Sequence, residues 1–147
     1  MDKDFSSIMD CRLCQTLHEE YGLIKETKHS FCVLCKEPIR EGHLLVMPKR
    51  HVTQEHYSEL SPEEVHDLFS LVELMEHTLN KLSDDKVTIL KNSGKHSSQP
   101  HFHIHLFLTK HKLRRIIAAH EGTQERKEAT IEERTKTKEK LQKLLEE

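Results

Sequence analysis

Residues 101–106 read His101-Phe102-His103-Ile104-His105-Leu106, three imidazoles alternating with three apolar side chains directly after Pro100. In an extended strand successive side chains point to opposite faces. The spacing therefore predicts His101, His103 and His105 on one face and Phe102, Ile104 and Leu106 on the other. The apolar face supplies the core contact, so the histidines are not needed for folding. Imidazole can act as nucleophile, proton carrier or metal ligand near neutral pH. Such a row can be a surface accident, a metal cluster or a catalytic series. The Asn92-Ser93-Gly94 turn and the Ser/Gln segment just upstream favour function.

Working outward, the triad strand is expected over His101 to Thr109, preceded by a strand over Val87 to Leu90. Residues 21–25 and 30–35 read as short strands, the second with Phe31, Val33 and Cys35 on one face. Glu37-Pro38-Ile39-Arg40-Glu41-Gly42 is punctuated as a loop. His43 to Met47 is an apolar run behind a histidine, as expected of a strand covered on both faces, and Pro48 ends it. Ser61-Pro62-Glu63-Glu64 opens a helix by four agreeing signals: a Ser cap, Pro at the first helical position, early acids, and Glu three residues after the Ser. Val65, Leu68, Phe69, Val72, Met75, Leu79 and Leu82 follow at helical spacing, taking that helix to about residue 82. The order strand, strand, strand, helix, strand, strand predicts an α+β fold. It is an antiparallel β-sheet with one long helix rather than alternating βαβ units.

Residues 123–146 are expected to form a charged helix whose large apolar groups are Ile131, Leu141, Leu144 and Leu145. The organisation is then a domain over residues 1–110 and a charged helical C-terminal extension over 111–147. The extension reads as a solvated helix clasping the domain or a partner subunit, or as a specific binding tail.

Over 147 residues, hydrophobic residues make up 35% and charged residues 33%, a low apolar share that traces to the charged tail. A net charge of −2, no tryptophan, two tyrosines and no basic stripe leave no footprint for a nucleic-acid partner. The longest apolar run, Phe31 to Cys35, is far too short to span a bilayer, so no membrane partner is expected. The start, Met-Asp-Lys-Asp, lacks a secretory pattern, and with four cysteines it points to a reducing, cytoplasmic setting.

Cys11-Arg12-Leu13-Cys14 has the spacing that places two thiolates on one metal. Two histidines would complete a closed tetrahedral Cys2His2 zinc site, whose binding free energy becomes folding free energy. Cys32 and Cys35 share the spacing. An offset of three along a strand puts them on opposite faces, so they read as packing residues.

His101-Phe102-His103-Ile104-His105-Leu106-Phe107 resembles the His-φ-His-φ-His-φ-φ signature of the histidine triad (HIT) family. Gly42-His43-Leu44-Leu45-Val46-Met47-Pro48-Lys49-Arg50-His51 resembles that family's Gly-His and Pro-Lys-x-His block. The resemblance covers about residues 8–109 and implies a HIT-like fold. It implies a nucleotide hydrolase cleaving nucleoside phosphoramidates or related α-phosphate adducts, with a nucleotidyl transferase, a dinucleoside polyphosphate hydrolase or a non-catalytic zinc-stabilised adaptor as alternatives. His103 would be the nucleophile forming a covalent nucleotidyl-histidine, and His105 would hold the phosphate or assist the leaving group. Asn92, Ser98, Gln99 and His43 would contact the substrate, a purine nucleotide or nucleotide adduct. The family's zinc-containing branch implies Cys11, Cys14, His51 and His101 as ligands of a structural Zn2+, and the family implies a homodimer. The chain departs from the pattern at Cys35, where relatives carry a ribose-binding Asp, and at His96-Ser97-Ser98-Gln99-Pro100, where they carry Gly-Gln-x-Val. Glu37 lies two residues beyond Cys35 and is the nearest acid that could replace that Asp.

Overall fold

A computed structural model describes residues 11–93 and 100–147. Among them, in chain order, lie helix α1 (Arg12–Thr16), strands β1 (Leu23–Glu26), β2 (Ser30–Leu34) and β3 (Leu44–Pro48), helix α2 (Pro62–Leu82), strands β4 (Lys86–Leu90) and β5 (Ile104–Thr109), and helices α3 (Leu113–Glu121) and α4 (Ile131–Leu145). The five strands form one sheet in the order β1-β2-β3-β5-β4. Every pairing is antiparallel. The fold class is α+β, as the order of elements predicts.

Alternation along the strands separates the two faces of the sheet. Cys32, Leu44, Val46, Ile104, Leu106 and Leu108 join Leu68, Leu71, Val72, Met75 and Leu79 of α2 in the main core. Phe31, Val33, Leu45 and Met47 point the other way and pack with Cys11 and Leu13 around α1. α2 forms because the Ser61 hydroxyl accepts from the Glu64 amide while the Glu64 carboxylate accepts from the Ser61 amide, closing a capping box with Pro62 in the first turn. Such a cap contributes about 1 kcal/mol, whereas each buried leucine contributes several times that through packing. The buried stripe includes Leu71, while Val65, Phe69 and Leu82 of the expected stripe are exposed. A single sheet covers only a narrow sector of a helix, so the outer positions of the stripe stay in solvent.

The triad strand is shorter than its alternation suggests. β5 begins at Ile104, and the stretch before it pairs instead with the loop after β3. Phe102 N–H donates to the Val52 carbonyl at 2.7 Å, Gln54 N–H to the Pro100 carbonyl at 2.8 Å, and Thr53 bridges His101. The three histidines therefore do not form one uniform row. Gly42 turns the chain into β3 at φ 87°, where an added Cβ would meet Leu82 and Leu79 at 3.2 and 3.3 Å.

The chain divides into two compact units between Lys112 and Leu113. In the second unit Gly122, at φ 69°, ends α3, and the Thr130 capping box starts α4. The helix expected over 123–146 therefore begins at Ile131, and α3 is a separate helix ahead of it within the extension over 111–147. Its apolar run, Ile116 to Ala119, directly follows Arg114 and Arg115 and carries a helical pattern too short to separate from the charged tail. No side chain of α4 is buried. Among the described residues no helix is long and apolar enough to cross a membrane.

Candidate active site

Both motif blocks converge on the α1 face of the sheet. At one end, Cys11, Cys14, His51 and His101 bring four donor atoms within 4.8 Å of one another. Cys11 caps α1, its Sγ accepting from the Cys14 amide at 3.3 Å, so the turn itself fixes the thiol pair. His101 is fully buried, and its Nε2–H donates to the Pro48 carbonyl at 2.9 Å. A carbonyl only accepts, so this bond leaves the Nδ1 lone pair facing the sulfurs, at 3.1 Å from Cys14 and 3.5 Å from Cys11. His51 Nδ1 lies 3.3 Å from Cys14 Sγ. Tetrahedral zinc with these ligand types has donor–donor edges of about 3.3–3.8 Å, so the set fits a metal ion. The hydrogen bond with Cys14, and then His101, draws the Cys11 thiol down to about 3 against the upward push of burial, favouring the thiolate a metal binds. Cys32 lies apart in the main core, where burial drives its thiol up to about 12. Cys35 packs on the opposite cluster.

Two residues on, the logic of the imidazole inverts. His103, 5% exposed, holds Nδ1 at 2.7 Å from the His101 carbonyl, so the proton sits on Nδ1 and Nε2 keeps its lone pair. The buried amide of Gln54 also reaches Nδ1, at 3.1 Å. Gln54 carries no periodic or motif signal of its own in the sequence.

His105, on β5, is held from the other direction. The Ile39 amide donates to His43 Nδ1 at 3.1 Å, which leaves the hydrogen on His43 Nε2. That nitrogen lies 2.9 Å from His105 Nδ1 and donates to it. His105 therefore carries its own proton on Nε2. The His103 and His105 rings meet edge to face with centroids 4.9 Å apart, and His43 contacts Phe107 and His105 at 5.2 Å each. Burial first, then repulsion from His103 and His43, holds His105 down to about 4. Burial also lowers His43 and His103, the latter against the His101 carbonyl. All three rings are thus biased neutral at pH 7: a lone pair on His103 stands beside an N–H donor on His105.

Among the other expected contacts, Asn92 is exposed just beyond β4, and Ser98 and Gln99 lie outside the described residues. Glu37 is exposed, while the Cys35 amide donates to the His43 carbonyl at 2.9 Å.

The family model for the HIT domain matches residues 18–112, which hold both motif blocks. The chain belongs to the HIT family. It is 30% identical over 116 residues to "Adenylylsulfatase HINT3" of Arabidopsis thaliana, across 77% of this chain and 58% of that protein. It is 32% identical over 100 residues to "Adenosine 5'-monophosphoramidase HNT1" of Saccharomyces cerevisiae, across 65% of this chain and 60% of that protein. The chain thus spans somewhat over half the length of these two HIT relatives. The fold matches the crystal structure of a histidine triad nucleotide-binding protein from Candida albicans with a TM-score of 0.66, at 24% identity, over 92% of this chain and 96% of that one.

Proposed function

We propose that this HIT protein is a hydrolase of nucleotide adducts, cleaving nucleoside phosphoramidates or related α-phosphate linkages through a nucleotidyl-His103 intermediate. One observation carries the reading: the 2.7 Å bond from His103 Nδ1 to the His101 carbonyl reserves Nε2 as a lone pair beside the His105 N–H. The relatives named adenylylsulfatase and adenosine 5'-monophosphoramidase support the substrate class.

In the first step His103 Nε2 forms a bond to the α-phosphorus. The bond from phosphorus to the leaving group breaks, and its electron pair leaves with that group. His105 hydrogen-bonds through Nε2–H, first to a phosphoryl oxygen and then to the leaving atom, which takes up a proton from solvent as it departs. His43, donating to His105 Nδ1, holds the tautomer that makes this possible. In the second step water attacks phosphorus and releases a proton to solvent, while the N–P bond returns its electrons to Nε2. Dividing one displacement into two lowers each barrier.

Asn92, Ser98 and Gln99 are assigned to phosphate and leaving-group contacts, and His43 to the phosphate through His105. Cys11, Cys14, His51 and His101 would hold a zinc ion, which would tie α1 to the segment entering β5. In this reading residues 1–110 carry the chemistry, and residues 111–147 are an appended helical extension. The ligand is a purine nucleotide or nucleotide adduct, and the setting is cytoplasmic, consistent with four cysteines outside any disulfide. A homodimer is supported by the open edge strand β4 with exposed Ile89, and by exposed Val65, Phe69 and Leu82 on α2.

Incubating the protein with adenosine 5'-phosphoramidate tests the reading. Release of AMP by the wild type and its loss in His103→Ala is the expected result. Nucleotide binding without turnover in the wild type refutes the hydrolase in favour of an adaptor.

A further inference from the structure

Gln54 raises a question that the triad alone does not answer. It is 2% exposed, three residues beyond His51, and its backbone N–H pairs with the Pro100 carbonyl in the short ladder that carries His101 and Phe102. Its side-chain amide nitrogen lies 3.1 Å from His103 Nδ1, while its oxygen is buried without a hydrogen-bond partner among the described residues. Buried amides are seldom left so, and an orphan of this kind calls for an explanation.

The tautomer of His103 supplies one. The His101 carbonyl, at 2.7 Å, can only accept, so Nδ1 bears hydrogen and has no lone pair in the ring plane to offer Gln54. An amide donor pointed at an N–H would repel it. Amide oxygen and nitrogen have nearly the same shape, and the hydrogen-bond network decides which is which. With the amide turned over, the Gln54 oxygen sits at the 3.1 Å position and accepts from Nδ1–H together with the His101 carbonyl.

We propose that Gln54 is a positioning residue for His103, its amide oxygen sharing the Nδ1–H with the His101 carbonyl. This deepens the hydrolase reading and rests on it for its catalytic consequence. Two acceptors on one N–H fix both the tautomer and the ring plane, so the Nε2 lone pair stays aimed out of the site. They act again after the first displacement, when Nε2 carries the nucleotidyl group and the ring is a cation with its proton on Nδ1. Both oxygens then face positive charge, and their bonds strengthen as the charge appears. Because Gln54 sits on the chain that follows His51, it also couples the ring to the loop leaving the metal corner.

Two substitutions separate this role from plain packing. Gln54→Met keeps the volume and removes the acceptor, whereas Gln54→Glu keeps an acceptor and adds a buried charge. Positioning predicts that Gln54→Met lowers kcat by ~10–100-fold with KM nearly unchanged, and that Gln54→Glu stays closer to wild type. Packing alone predicts the reverse order and overturns the proposal, as does wild-type kcat in both variants. A second readout needs no turnover: imidazole 15N shifts of His103, assigned against His103→Asn, report the Nδ1–H tautomer. That tautomer is expected intact in wild type and Gln54→Glu and mixed in Gln54→Met. An unchanged Nδ1–H form in Gln54→Met overturns the proposal, even if the wild type proves to have no hydrolase activity, which would defeat only the mechanism above. If Gln54→Met does not fold, Gln54→Glu still decides by whether it keeps the Nδ1–H form.

Discussion

His101 and His103 are two residues apart in one motif, yet they present opposite nitrogens. His101 gives its Nε2–H to the Pro48 carbonyl and turns Nδ1 to the sulfurs, while His103 gives its Nδ1–H to the His101 carbonyl and keeps Nε2 bare. The same side chain thus becomes a candidate metal ligand at one end of the α1 face and a candidate nucleophile at the other. What separates them is the acceptor each ring meets on its far side, not the ring itself. A motif names the groups, and the hydrogen bond behind each group assigns its role.

Removing the two rings separately should have the largest effect. His103→Ala should lower kcat with the phosphoramidate by ~10^4-fold or more, equivalent to about 5.5 kcal/mol of barrier, with metal content and melting temperature close to wild type. Equal loss of metal in this variant would show that the two ends are not distinct. Next in size, His105→Asn should cost ~10^2–10^4-fold for a leaving group that needs a proton, and much less for one that leaves as a stable anion. Steady-state kinetics on a leaving-group series checks this. An equal loss across the series would deny His105 its role as hydrogen-bond donor to the leaving atom.

Much of this arrangement was legible in the chain because it depends on local repeats. Period-two alternation placed Phe102, Ile104 and Leu106 in the core, and the Ser61 cap with its helical stripe located α2. The start of β5 was not legible. Residues 101–103 have strand alternation, but their hydrogen bonds go to Val52 and Gln54, and pairing across that distance leaves no periodic mark. Gln54 was missed for the same reason. The His43–His105 contact was equally hidden, since it depends on an Ile39 amide turned inward by the loop before Gly42. The charged tail hides a boundary for another reason: α3 has only a short apolar run, Ile116 to Ala119, which the surrounding lysines, arginines and glutamates outweigh.

The candidate metal site, Cys11, Cys14, His51 and His101, should respond to a different substitution. Cys14→Ser should release zinc and lower stability by about 3 kcal/mol or more, a fall in Tm of roughly 10 °C or more. Elemental analysis and thermal melts with and without chelator read this. Activity should fall only as the fold loosens, because no step of the proposed chemistry uses the metal. A preparation that keeps its zinc and its Tm in Cys14→Ser would remove Cys14 from the ligand set.

Protons provide the gentlest test. His105 in the folded chain titrates at about 4 against an ordinary value of 6.5, so between those limits the unfolded chain binds a proton that the folded one refuses. Folding stability therefore rises with pH through that window and falls on acidification, by on the order of 1–2 kcal/mol for a ring with this partial exposure. His43, also lowered by burial, acts in the same direction. In kinetics the sign is as clear: neutral rings persist below pH 6.5, so kcat/KM should stay level from pH 8 down past that value before its acid limb begins. Replacing His43 with Phe removes one of the neighbours that depress His105 and the donor that sets its tautomer. The acid limb should then move, while the zinc content stays constant. A limb fixed at 6.5 or above in both proteins would mean that the buried row of imidazoles does not govern the rate, and the division of roles along the triad would have to be drawn elsewhere.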